Sequence, residues 1–148
     1  AACYPSAVLG LGATVITNRR EIAADDFFVG MYTTALDEGE IITAVRFPIP
    51  KRAAYMKFKQ PASRFSLVGV FVAQFDAGVR VAVTGASSCV FRHAGLEAAL
   101  SGSFTPQAAA AVAIDASDLN ADLHASAAYR ANLISVQTQR AVAKMTGA

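Results

Sequence analysis

Two histidines, two cysteines and a scatter of acids are the residues of this chain best able to do chemistry, and their spacing brings few of them together. His93 and His124 have no further ligand at metal-binding spacing, and each reads as a surface or helix-start residue. Cys3 and Cys89 lie far apart with no CxxC pattern, so neither a disulfide framework nor a zinc site is encoded. Cys89 reads as a small apolar residue at the end of a strand. The pair Asp25-Asp26 fits a helix cap better than a general acid and base. Gly10-Leu11-Gly12 lacks the third glycine of a dinucleotide fingerprint and precedes a strand instead of a helix. Gly85-Ala86-Ser87-Ser88-Cys89 lacks the final glycine of a nucleophile elbow. A domain with no paired nucleophile and base and no ligand cluster points to holding something rather than transforming it, and chemistry carried by a bound cofactor fits that pattern.

The elements that must position such a group can be read from periodicity. Ser6 to Leu11 predicts a short helix capped by Ser6 and stopped by Gly10 and Gly12. Ala13 to Thr17 predicts a strand, with Glu21-Ile22 pairing back through the Asn18-Arg19 turn. Asp37 to Glu40 reads as a solvated bend. From there the chain becomes sheet. Ile41 to Phe47 alternates between two faces and is ended by Pro48 and Pro50. Ala54 to Phe58 is a second strand. Leu67 to Phe75 is almost continuously apolar, as a central strand covered on both faces would be. Asp76-Ala77-Gly78 turns it into Val79 to Thr84, with Val79, Val81 and Val83 facing one way.

Helices follow: Ala94 to Leu100, Thr105-capped Pro106 to about Ile114, and Ser126 to Lys144 with Tyr129, Leu133, Val136, Arg140 and Ala143 on one stripe. Four strands followed by helices predict an α+β fold, with an antiparallel sheet of about four strands packed against a C-terminal set of helices.

At 148 residues, 54% apolar and 16% charged, the chain can bury a core, and its excess of apolar residues suggests surface covered by a partner. The net charge of +2 is scattered, and its densest stretch, Lys51 to Arg64, is too short for a nucleic-acid groove. No apolar run reaches the roughly 18 residues needed to cross a bilayer, and the start lacks the basic region of a signal peptide. A reducing cytoplasm is the expected setting. The sequence opens without Met directly in patterned residues, as though cut from something longer.

Three segments, in order, resemble the flavoprotein subunit of carbon monoxide dehydrogenase and the flavin domain of xanthine dehydrogenase. They are Ala7 to Ala13 with Asp25 to Gly30 and Glu40 to Pro48; Tyr55 to Gln60 with Ala62-Ser63-Arg64; and Ala125 to Arg130 leading to Gln139-Arg140-Ala141. The resemblance implies the tail of an FAD-binding domain and crossover over 1–47, and a C-terminal domain of the carbon monoxide dehydrogenase flavoprotein type over 48–148. In that family two glycine-rich loops hold the FAD pyrophosphate; both would lie upstream of Ala1.

The resemblance also implies flavin contacts. Ile42 matches an aliphatic residue set against the flavin, Lys59 a flavin-contacting lysine in a Phe-Lys-Gln stretch, and Phe65 an aromatic lying over the isoalloxazine. A cation near the ring stabilises charge gained on reduction, and an aromatic face can stack on it. No catalytic or metal-binding residue is implied. One departure stands out: Cys3 occupies the place of a family acid that touches the flavin, and a cysteine does not supply the same charged acceptor. Ser135 to Gln139 is also more polar than in relatives.

The function so implied is electron transfer within an oxidoreductase. Substrate is hydroxylated at molybdenum on a molybdopterin-containing large subunit, and electrons pass through iron–sulfur clusters of a small subunit to FAD and on to an acceptor. FAD belongs to the complete subunit, and these residues alone would bind it weakly and be inactive. The competing reading is a cofactor-free α+β assembly or dimerisation module.

Overall fold

The computed structural model describes residues 2–147. In chain order the elements are helix α1 (Tyr4–Gly10), strands β1 (Thr14–Thr17) and β2 (Glu21–Ala23), helix α2 (Ala24–Phe27), strands β3 (Phe28–Gly30), β4 (Thr33–Thr34), β5 (Ile42–Arg46), β6 (Arg52–Lys59), β7 (Ser66–Phe75), β8 (Gly78–Thr84) and β9 (Phe91–Arg92), and helices α3 (Ala94–Gly102), α4 (Pro106–Ala110) and α5 (Ala127–Thr146). The fold is α+β as expected.

Its main sheet is antiparallel, in the order β6-β7-β8-β9. Strand β7 is central and sealed on both faces, which its unbroken apolar run requires. Val68, Val70, Val72, Val79, Val81 and Val83 form one core with Leu96 and Leu100 of α3 and with Ile134 and Val142 of α5. On the opposite face Ala82 and Phe71 pack against Leu9 of α1. The turn expected over Asp76-Ala77-Gly78 is present, with Gly78 already paired to Phe75 so that Asp76 and Ala77 make the connection.

The fourth strand differs from expectation. Ile42–Arg46 belongs to a separate sheet, β2-β1-β5, where Val15 pairs with both Ile22 and Val45. The prolines that end β5 prevent it from running on into the larger sheet, and Phe91–Arg92 completes that sheet instead.

Local signals are corrected at several points. Helix α1 begins at Tyr4, with Pro5 in its first turn, so Ser6 is buried within it and donates to the Cys3 carbonyl at 2.7 Å instead of capping. Asp25 does not cap α2, whose N-cap is Ala23; it reaches Arg80 at 2.9 Å and Arg92 at 3.2 Å. Glu40 is buried, not solvated. It accepts from Thr17 at 2.7 Å, from Arg20 at 3.0 Å and from the Asp37 amide at 2.9 Å. These donors, Arg20 first, hold its carboxyl down at about 2. Helix α4 stops at Ala110, and Cys89 lies past the end of β8.

Helix α5 is capped by Ser126, which accepts from the Tyr129 amide, and closed by left-handed Gly147. Its buried stripe is Arg130, Leu133, Ile134, Gln137, Thr138, Ala141 and Val142, rotated from the predicted one, since Tyr129 and Arg140 are exposed. Both amide atoms of buried Gln137 lack a partner among the described residues.

Candidate functional site

The residues singled out as flavin contacts fall on two sheets. Lys59 is the last residue of β6, exposed and paired across the ladder with Ser66 after a register shift at Phe58. The chain then makes a tight bend, Gln60 to Phe65. The Gln60 amide donates to the Phe65 carbonyl at 2.8 Å, and the Arg64 amide to the Gln60 carbonyl at 3.0 Å. Arg64 adopts a left-handed φ of 61°, unusual for a residue with a side chain, and Phe65 emerges from it 60% exposed. The structure therefore brings Lys59 and Phe65 together on one hairpin end. Ile42 lies apart, opposite Thr17 on the edge strand of the smaller sheet and 43% exposed. None of the three is drawn into a core. Ile42 and Phe65 expose apolar side chains and Lys59 a cationic one.

Beside Phe65 opens a cleft of about 410 Å³, bounded by Gln60, Phe65, Gly85, Asn120, His124 and Arg130. Its floor is stiff. Arg130 is 3% exposed and donates to the carbonyls of Leu67 at 2.9 Å and Gly85 at 3.0 Å, and to Asp122 at 2.8 Å. Gly85 is left-handed at φ 81°, and a side chain there would strike the Ser66 and Leu67 carbonyls. Its small size lets the ends of β7 and β8 meet under one guanidinium. Asp122 is held below the usual carboxylate range, first by the His124 amide and also by Arg130.

Beneath the same bend lies a cluster that sequence reasoning missed. Cys3, entering α1, sits with its Sγ 3.2 Å from Lys57 Nζ and 3.6 Å from Ser66 Oγ. Ser66 in turn meets the Tyr55 hydroxyl at 2.7 Å, and Lys57 also donates to the Arg64 carbonyl at 3.1 Å. Burial pushes the Cys3 thiol up, but hydrogen bonds with Tyr55, Ser66 and Lys57 outweigh it and leave the thiol below its ordinary range. Burial, then the contact with Cys3, pushes the Tyr55 hydroxyl up. Cys3, which lacks the charge of the family acid, thus stands beside an ammonium group and a serine hydroxyl. Alternation along β6 held the one available signal: Tyr55 and Lys57 share a face.

His93 has a structural role: it caps α3, accepting from the Leu96 amide at 3.2 Å, and burial lowers its pKa. Among the described residues no group of three or more histidines, cysteines and acids is placed to hold a metal, and no helix is long and apolar enough to cross a membrane.

Both the sequence and the fold have counterparts among known proteins. Residues 2–50 match the family described as the FAD binding domain in molybdopterin dehydrogenase, and the chain as a whole is similar to the medium subunits of related enzymes. In sequence it is 35% identical over 153 aligned positions to the nicotine 6-hydroxylase medium subunit of Paenarthrobacter nicotinovorans, covering 94% of this chain and 54% of that one. It is 31% identical over 136 positions to the carbon monoxide dehydrogenase medium chain of Hydrogenophaga pseudoflava, covering 84% and 47%. The chain thus spans about half the length of these curated relatives. Its fold matches the crystal structure of quinoline 2-oxidoreductase from Pseudomonas putida 86 with a TM-score of 0.83 at 24% identity, over 99% of this chain and 56% of that one.

Proposed function

We propose that this chain supplies one side of the isoalloxazine site in the FAD-carrying subunit of a molybdenum hydroxylase. In this reading Phe65 stacks on the ring, Lys59 places its cation where negative charge builds on reduction, and Ile42 closes the wall from the smaller sheet. The observation that carries the reading is that Lys59 and Phe65 are both exposed at the same hairpin end, with Phe65 lining an open cleft. When bound, FAD supplies the capacity to take up electrons from one redox partner and pass them to another. Protein residues then have only to hold the ring, tune its charge and leave an edge accessible.

Electrons would arrive from iron–sulfur clusters on a small subunit, after substrate oxidation at molybdopterin on a large subunit, and leave to an acceptor, in the cytoplasm. Residues 1–47 would close the flavin domain and 48–148 form the C-terminal domain, joined by the Asp25 contacts with Arg80 and Arg92. The phosphate-holding loops would lie on polypeptide outside these residues, so residues 1–148 alone would be inactive and bind FAD weakly.

Two measurements test this. Titrating FAD into the 148-residue chain should show weak binding, and tight one-to-one binding would contradict the assignment of most affinity elsewhere. In the complete subunit, Lys59→Ala should lower the flavin potential or weaken FAD by roughly tenfold, as loss of one charged contact does; an unchanged flavin would remove Lys59 from the site.

A further inference from the structure

Lys57 is not among the residues matched to flavin contacts, yet its ammonium joins two separate pieces of the wall. It donates to the carbonyl of Arg64 at 3.1 Å and to Cys3 Sγ at 3.2 Å. The first partner belongs to the bend between β6 and β7, the second to the residue from which α1 starts. A side-chain-bearing residue stays in the left-handed region only where its surroundings fix it. Arg64 is fixed from both ends: its amide donates to the Gln60 carbonyl, and its carbonyl accepts from Lys57. Since Phe65 follows directly, the peptide that Lys57 grips sets where the Phe65 ring points.

We infer that Lys57 is the positioning residue of the flavin wall, locking the left-handed Arg64 peptide to the Cys3 thiol so that Phe65 and Lys59 are held ready for the ring. This inference rests on the flavin reading above. The groups facing the Cys3 sulfur are Lys57 and Tyr55 from β6 and Ser66 from β7. Of these, Lys57 carries the positive charge. It therefore has two separable consequences, one on the shape of the bend and one on the charge of the thiol, and only the first depends on Arg64.

The test uses the complete FAD-carrying subunit with Lys57→Met, Lys57→Arg and Cys3→Ser. Three quantities are measured: amide exchange at Gln60 and Arg64, the pH profile of Cys3 alkylation by iodoacetamide, and FAD affinity with the flavin midpoint potential. Lys57→Met should speed exchange at both amides about tenfold and weaken FAD by a similar factor, the worth of one charge-assisted hydrogen bond. It should also slow alkylation at neutral pH severalfold, because the thiolate is the nucleophile and its cationic partner is gone. Lys57→Arg should restore most of all three. Cys3→Ser should leave the bend amides protected, since the Arg64 link remains.

Unchanged amide exchange in Lys57→Met would overturn the positioning role. Faster exchange with FAD affinity and potential unchanged would overturn the link from bend to flavin. An unmodified subunit that carries no FAD would instead overturn the flavin reading itself, and that outcome is distinguishable because amide exchange and thiol alkylation report on Lys57 without any flavin.

Discussion

The two sheets of this chain are built on opposite terms. In the larger one, β7 and β8 bury a valine at nearly every position facing α3 and α5, and ion pairs lie at its margins. The smaller sheet is three short strands with an edge, β5, on which four of five residues are exposed. It has only a small apolar core, Val15, Ile22 and Phe27, and polar links tie it further: Glu40 to Thr17 and Arg20, Glu21 to Arg46, and Asp25 to Arg80 and Arg92. Burial of apolar area is non-directional and large, whereas an ion pair is weak when exposed but fixes geometry. The lesson is a division of labour. The apolar sheet is the foundation, and the smaller sheet leaves apolar side chains such as Ile42 facing outward.

The contrast can be broken hardest in the foundation. Ile134→Ala, at a fully buried position on α5, should cost about 3 kcal/mol through lost transfer energy and a residual cavity. Chemical denaturation would measure it, and a loss near that of a surface substitution would show the α5 core to be slack. Next comes Arg130→Met. Removing the guanidinium strips donors from the Leu67 and Gly85 carbonyls and should cost about 2 kcal/mol, with the cleft next to Phe65 widening. Equal stability would mean that the two strand ends need no clamp.

The smallest of the three effects sharpens the comparison through pH. Glu40 titrates near 2 in the fold against roughly 4.3 in an unfolded chain. A depressed carboxylate contributes stability that is present above the unfolded value and lost as pH falls towards the folded one. Between about pH 4.5 and 2, amides of β1, β2 and β5 should therefore exchange before those of β7. Glu40→Gln should lower the melting temperature at neutral pH and flatten this acid dependence. Simultaneous opening of both sheets would show that the polar links do not set the weaker unit apart.

Legibility in the sequence followed the same division. The run Leu67 to Phe75 and the valine alternation of Val79 to Val83 declared the central hairpin, because apolar periodicity is a local property of the chain. The long final helix, read over Ser126 to Lys144, was equally plain. Which sheet Ile42 to Arg46 would join was not, since strand pairing is decided by partners far away in sequence. Glu40 looked like a solvated acid for the same reason: its donor Arg20 is remote along the chain. At the site, Ile42, Lys59 and Phe65 came from resemblance, and their exposure is compatible with it. The Cys3, Tyr55, Lys57 and Ser66 cluster stayed hidden because α1 and two strands must fold together before those atoms meet.

Gln137 shows where this sequence has left something unclaimed. A buried side-chain amide on the packed face of α5 with no partner for either end among the described residues opposes folding, at a position where the periodicity of the helix calls for an aliphatic residue. The protein thus carries an internal handicap away from the Lys59 and Phe65 hairpin. Gln137→Leu would offer a route to a hardier protein while leaving the Lys59 and Phe65 side chains as they are.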